Sequence, residues 1–82
     1  MNEFYYVYIL QSEKYPTKHY TGFTENLQNR LKKHNQGEVP HTSKFKPWII
    51  QNYFAFHSKK KAIAFEKYLK SGSGREFARR HF

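Results

Sequence analysis

The chain opens on an unbroken apolar and aromatic run, Phe4 to Leu10, rich in β-branched and aromatic types. That pattern predicts a buried strand. Gln11 to Lys18 then turns polar, includes Pro16 and reads as a hairpin loop, and His19 to Phe23 reads as a second strand. Strands joined by so short a polar connection are expected to be antiparallel neighbours. Thr24 is placed to cap the helix that follows, with Glu25 in its first turn suiting the positive end of the dipole. Leu27, Leu31 and His34 recur at i, i+4 and i+7 and so share one face, with Arg30 at its edge one turn before His34. The helix is expected to run to about Asn35, with Gly37 as its stop.

Glu38 to Pro47 reads as a loop, fenced by Pro40 and Pro47. It carries His41, Thr42 and Lys44, placed to flank a pocket. Trp48 to Phe56 is the third strand. Ser58 offers an N-cap for a helix through about Ser71, whose Ala62, Phe65 and Leu69 sit at helical spacing. Glu66 falls among these apolar positions, where a carboxylate is costly unless something pairs with it. Ser71-Gly72-Ser73-Gly74 breaks the helix, and Ser73-Gly74-Arg75-Glu76 has the form of a capping box. A last short helix runs from Arg75 to about His81. The order β-β-α-β-α-α predicts an α+β fold: a small, three-stranded, mainly antiparallel sheet flanked by helices.

At 82 residues the expectation is a single domain over 1–82. With no cysteine to staple it, the core must come from eight Phe, seven Tyr and one Trp. The start, Met1-Asn2-Glu3-Phe4, lacks the pattern of a signal peptide. The apolar stretches fall far short of the roughly 20 residues that span a bilayer. A cytoplasmic protein with no membrane partner is expected. Fifteen Lys and Arg against six acids give a formal charge of +9. That favours a polyanion, most simply nucleic acid, through counterion release; a basic surface for solubility, or attraction to anionic lipid, competes with it. All six acids are glutamates. A two-metal site gathers several carboxylates, so at most one ion on one protein carboxylate is feasible here.

Tyr6-Val7-Tyr8, Tyr20-Thr21-Gly22, Arg30, His34 and Glu66 stand in an order and spacing that resemble the GIY-YIG nuclease domain. The resemblance covers nearly the whole chain. Tyr6-Val7-Tyr8 stands where that family has Gly-Ile-Tyr, and Tyr20-Thr21-Gly22 where it has Tyr-Ile-Gly. The ending Glu66-Lys67-Tyr68-Leu69-Lys70-Ser71-Gly72-Ser73-Gly74-Arg75 is similar to the short stand-alone, YhbQ-like branch. One position departs: Tyr6 replaces the glycine that opens the first motif, while its reactive tyrosine survives as Tyr8.

The resemblance implies an endonuclease that hydrolyses DNA by a one-metal mechanism, linked to repair or recombination. Tyr20 would orient or deprotonate the attacking water with Tyr8 assisting, although a free phenol, with a pKa near 10, is a poor base. Arg30 would stabilise charge on the phosphate and His34 would position water or donate to phosphate. Glu66 would hold a single Mg²⁺ or Mn²⁺. A solvent-facing Glu66–Lys70 pair is the plainer alternative. Lys44, Lys59, Lys60, Lys61, Lys70 and Arg75 would grip the nucleic-acid backbone without reading sequence. The amides of Ser71 to Gly74 form either a phosphate cradle or a plain turn. Branched, flapped or nicked DNA is the expected substrate, RNA remains open, and targeting is left to a protein partner. A non-catalytic nucleic-acid-binding module with the same fold is the alternative.

Overall fold

The computed structural model describes residues 3–82; Met1 and Asn2, part of the opening read above for a leader, lie outside the described residues. The elements run β1 (Tyr5–Ser12), β2 (His19–Thr24), α1 (Leu27–Asn35), a 3₁₀ turn (Ser43–Phe45), β3 (Trp48–Phe56), α2 (Lys59–Lys70) and α3 (Gly72–His81). The architecture is α+β in the expected order, with one antiparallel sheet arranged β2-β1-β3.

The central place of β1 explains its unbroken apolar run. Successive side chains of a strand point to opposite faces, and here both faces are covered. Val7 and Ile9 pack with Ala62 and Leu69, joined by Phe23, Phe54, Phe65 and Ala78, under α2 and α3. Tyr8 and Leu10 pack with Trp48, Leu27, Leu31 and Phe45, under α1 and the 3₁₀ turn. On β3 one residue is extra: Asn52 pairs with Ile9 but Ile50 with Leu10, so Gln51 bulges from the ladder.

Two helix starts differ from the expectation. Asn26, not Thr24, caps α1: its side chain accepts from the Asn29 amide at 3.0 Å. Thr24 instead closes a tight turn, its hydroxyl bonding the Asn26 amide and carbonyl, and Glu25 precedes the helix. A short polar side chain followed by another can fill either role. Likewise α3 begins two residues earlier than the Ser73 capping box implied, because Ser71 accepts from the Gly74 amide at 3.2 Å. That occupies the Gly74 amide, one of those a phosphate cradle would use, and Gly72 to Gly74 open the first turn of α3. A side chain on Gly74 would collide with the Tyr68 carbonyl and Leu69 Cα, so glycine is what lets α3 cross so close to the end of α2. Ser58 caps α2 as expected, and the chain leaves α1 through Gly37 at φ 78°.

The loop after α1 is tied down at both ends. Asn35 bonds both the amide and the carbonyl of Trp48, and the Trp48 indole donates to the Thr42 carbonyl at 2.9 Å. Among the described residues no helix is long and apolar enough to cross a membrane.

Candidate active site

The register of the hairpin sets Tyr8 opposite Gly22 and Leu10 opposite Tyr20. Tyr8, Tyr20 and Gly22 therefore lie on one face, with the two phenol rings 6.3 Å apart. The Tyr8 ring rests across Gly22. A Cβ there would sit 2.5 Å from Tyr8 Cζ and 3.0 Å from Tyr20 Cε2, inside any van der Waals contact. The glycine of the second tripeptide thus serves the tyrosine of the first.

α1 delivers His34 to the same place. It is fully buried, its ring 4.9 Å from that of Tyr20 and 5.9 Å from that of Tyr8. His34 Nε2 lies 3.0 Å from the Tyr8 hydroxyl, and Nδ1 lies 2.8 Å from Thr42 Oγ1. The Thr42 hydroxyl in turn donates to the Val39 carbonyl at 3.2 Å. One tautomer satisfies all of these contacts as a relay: with the Thr42 proton on the Val39 carbonyl, which only accepts, Thr42 accepts from His34 Nδ1–H. His34 Nε2 is then bare and accepts the Tyr8 proton. Every buried side-chain polar atom among the described residues is paired, as burial requires.

The charges follow from this burial. The Tyr8 phenol is held well above its usual pKa, first by desolvation and then by Tyr20. Arg30 pulls it down, and Glu66 adds a further upward push. The His34 pKa is lowered, chiefly by burial and then by the Arg30 cation. Arg30, half-buried on α1, forms no ion pair among the described residues. Glu66, with a side chain 20% exposed, pairs with Lys70 at 3.1 Å, and that lysine's ammonium stands 5.8 Å from the centre of the Tyr20 ring. The Glu66–Lys70 pair is therefore present, with its lysine half-exposed, and it borders the tyrosines as well.

The structure thus gathers Tyr8, Tyr20, Arg30, His34 and Glu66 into one electrostatic neighbourhood. Lys70 belongs to it. Arg75, at the start of α3, lines a cavity beside it. Lys44 is exposed on the 3₁₀ turn, and Lys59, Lys60 and Lys61 occupy the first turn of α2, about 15 Å along the helix from Lys70. Among the loop residues, His41 is exposed while Thr42 is buried and bonded to His34. The role of Thr42 was not legible: a threonine in a polar, proline-fenced loop looks like any other until the loop folds back on α1. Among the described residues no three His, Cys, Asp or Glu converge to hold a metal.

The family model of the GIY-YIG catalytic domain matches residues 4–80. The structure-specific endonuclease subunit SLX1 of Debaryomyces hansenii is 41% identical over 71 residues, covering 78% of this chain but only 20% of that protein. A UPF0213 protein of Haloquadratum walsbyi is 31% identical over 72 residues, 87% of this chain and 79% of that protein. The chain therefore spans a fraction of the SLX1 relative and most of the shorter one.

Proposed function

The chain belongs to the GIY-YIG catalytic-domain family, and from that premise we propose that it is a metal-dependent endonuclease hydrolysing DNA phosphodiester bonds with a single divalent ion. The directed bond from Tyr8 to a bare His34 Nε2 carries the reading. A buried phenol is a poor base by itself, but one already donating to a neutral imidazole can take a proton from water while passing its own on. Tyr8, more than Tyr20, is then the acceptor. The proton rests on His34, whose other nitrogen Thr42 holds in register. Tyr20, packed on His34, orients the water. Arg30 supplies permanent charge for the phosphate oxygens.

Glu66 fits the ion. It is a partly buried oxygen ligand whose only ion-pair partner among the described residues, Lys70, is a displaceable cation. One carboxylate with several retained waters suits Mg²⁺ or Mn²⁺. Such an ion, when bound, would act as a Lewis acid on the scissile phosphate. Lys70, already beside Tyr20, would then be released toward the substrate.

The SLX1 relative is a structure-specific endonuclease subunit, which supports a structured DNA substrate and a partner protein for targeting; we take branched, flapped or nicked DNA, in repair or recombination, as that substrate and setting. The test is labelled branched and flapped DNA incubated with Mg²⁺, Mn²⁺ or EDTA beside Glu66→Gln and Arg30→Ala. Cutting that needs metal and disappears in both variants is the expected result. Equal cutting by the variants removes the site. Binding without cutting in every metal supports a non-catalytic nucleic-acid-binding module, which the Glu66–Lys70 pair and Tyr6 at the glycine position favour.

A further inference from the structure

On the sheet face away from Tyr8, the β1–β2 hairpin and the two C-terminal helices border a half-open cavity of about 670 Å³, within the roughly 300–1,000 Å³ of pockets that hold small molecules. Phe82 gives it an exposed apolar wall above the buried Ile9 and Leu69, and Lys18, Arg75 and the Glu66-paired Lys70 line it. No Asp or Glu side chain is among its lining residues. Arg79 also lines it but is committed to Glu76 through two hydrogen bonds. Arg75 and Lys18 make no ion pair among the described residues, although the Lys18 ammonium stands 5.5 Å from the centre of the Phe45 ring. Two lining residues, Tyr20 and Lys70, also border the Tyr8 cluster. The cavity and the candidate active site therefore share a wall.

We propose that this cavity holds one unpaired nucleotide of a nucleic-acid strand, its base against the exposed Phe82 ring and its phosphate at Arg75 and Lys18, beside a phosphate presented to the Tyr8 cluster. The proposal rests on the nuclease reading and gives it a substrate preference. An apolar ring accepts the face of any base, and cations accept any phosphate, so selection is by strandedness and not by sequence. A nucleotide stacked within a duplex cannot enter without first being extruded, which costs free energy that an unpaired one does not face. Strands carrying an unpaired nucleotide beside the cut are therefore favoured.

The test is a binding measurement in EDTA. The protein is titrated into a DNA duplex with a short single-stranded tail carrying 2-aminopurine, a fluorescent adenine analogue, at the first unpaired position. The same duplex without a tail, with the analogue paired, is titrated in parallel. A saturable emission change confined to the tailed DNA is expected. Lys18→Glu/Arg75→Glu, both at exposed positions, is expected to weaken tailed DNA about tenfold more than duplex. Lys32→Glu/Lys33→Glu changes the charge equally on the exposed side of α1 and is expected to weaken both DNAs by one common factor, as unspecific charge does. Absence of the emission change, or an equal loss on both DNAs for Lys18→Glu/Arg75→Glu, overturns the proposal. A protein that passes in EDTA yet cuts nothing in Mg²⁺ or Mn²⁺ keeps the pocket and loses the nuclease reading. One that cuts but fails in EDTA loses only the pocket.

Discussion

On the Tyr8 face of the sheet, polarity is buried and each hydrogen bond has a direction, running from Tyr8 through His34 and Thr42 to the Val39 carbonyl. On the opposite face the polar groups are charges around an apolar cavity. Both faces are written in alternate residues of the same strands: Tyr8 and Tyr20 point one way, Ile9 and Thr21 the other. The difference is one of tolerance. A buried chain of donors and acceptors fails when one member is removed, because its neighbours are left unpaired away from water. Rim cations act through a summed field, so each is individually replaceable and all weaken with salt. The first arrangement suits chemistry at a fixed point, the second suits holding a flexible polymer.

The sharpest way to break this comparison is at the charges that meet the Tyr8 face. Arg30→Ala or Glu66→Gln is expected to lower the cleavage rate about 10³-fold or more, the scale of removing a transition-state charge partner. Circular dichroism should show the fold unchanged, since among the described residues Arg30 makes no ion pair and Glu66 only one, with a half-exposed lysine. Tyr8→Phe is expected to cost about 10²–10⁴-fold in rate. It should also cost about 1–3 kcal/mol in urea unfolding, because His34 Nε2 is left buried without a donor. A Tyr8→Phe protein of wild-type stability would show that the hydrogen bond is absent in solution.

Thr42 separates positioning from chemistry. Thr42→Val keeps the shape but strands His34 Nδ1–H and frees the ring to change tautomer, so the rate is expected to fall about tenfold. The acidic limb of the pH–rate profile should move with it. Thr42→Ser keeps the hydroxyl and is expected to restore both. A Thr42→Val profile matching wild type would reduce the residue to packing.

The same burial sets the pH range of the fold. The unfolded chain's His34 titrates near 6.5, and the folded value lies lower. Above pH 6.5 neither state is protonated there and stability is full. Below it the unfolded state takes up a proton that the folded state refuses, and stability falls by as much as about 1.4 kcal/mol per pH unit until the folded value is reached. Tyr8 closes the other side. Its folded pKa is raised above 10.0, so the unfolded phenol ionises first and stability falls as pH rises through 10. Melting temperature against pH should show both limbs, and His34→Gln should remove the acidic one. The smallest effects belong to the distant basic turn. Lys60→Ala is expected only to reduce the slope of log affinity against log salt by about one.

Much of this was legible along the chain, for reasons local to it. Burial on both faces writes a continuous apolar run, which is why β1 stood out. The ends of β3 at Trp48 and Phe56 matched because Pro47 and Ser58 punctuate them. The helical net alone put Arg30 and His34 on neighbouring positions, and Glu66 among apolar neighbours was visible as an anomaly. Where several short polar residues compete for one role, sequence could not choose. Thr24 and Asn26 both suit a cap, as do Ser71 and Ser73, and the winner depends on which amides the packed helix leaves free. Tyr8 and His34 are 26 residues apart and His34 and Thr42 eight, so no local rule announces the chain they form. The direction of the proton path, the closeness of Glu66 and Lys70 to Tyr20, and the cavity between hairpin and helices exist only once the elements are packed. Composition and periodicity determined which elements form and which faces they bury. Tertiary structure decided which polar groups lost their water together, and hydrogen-bond direction and shifted proton affinity are set only where water is gone.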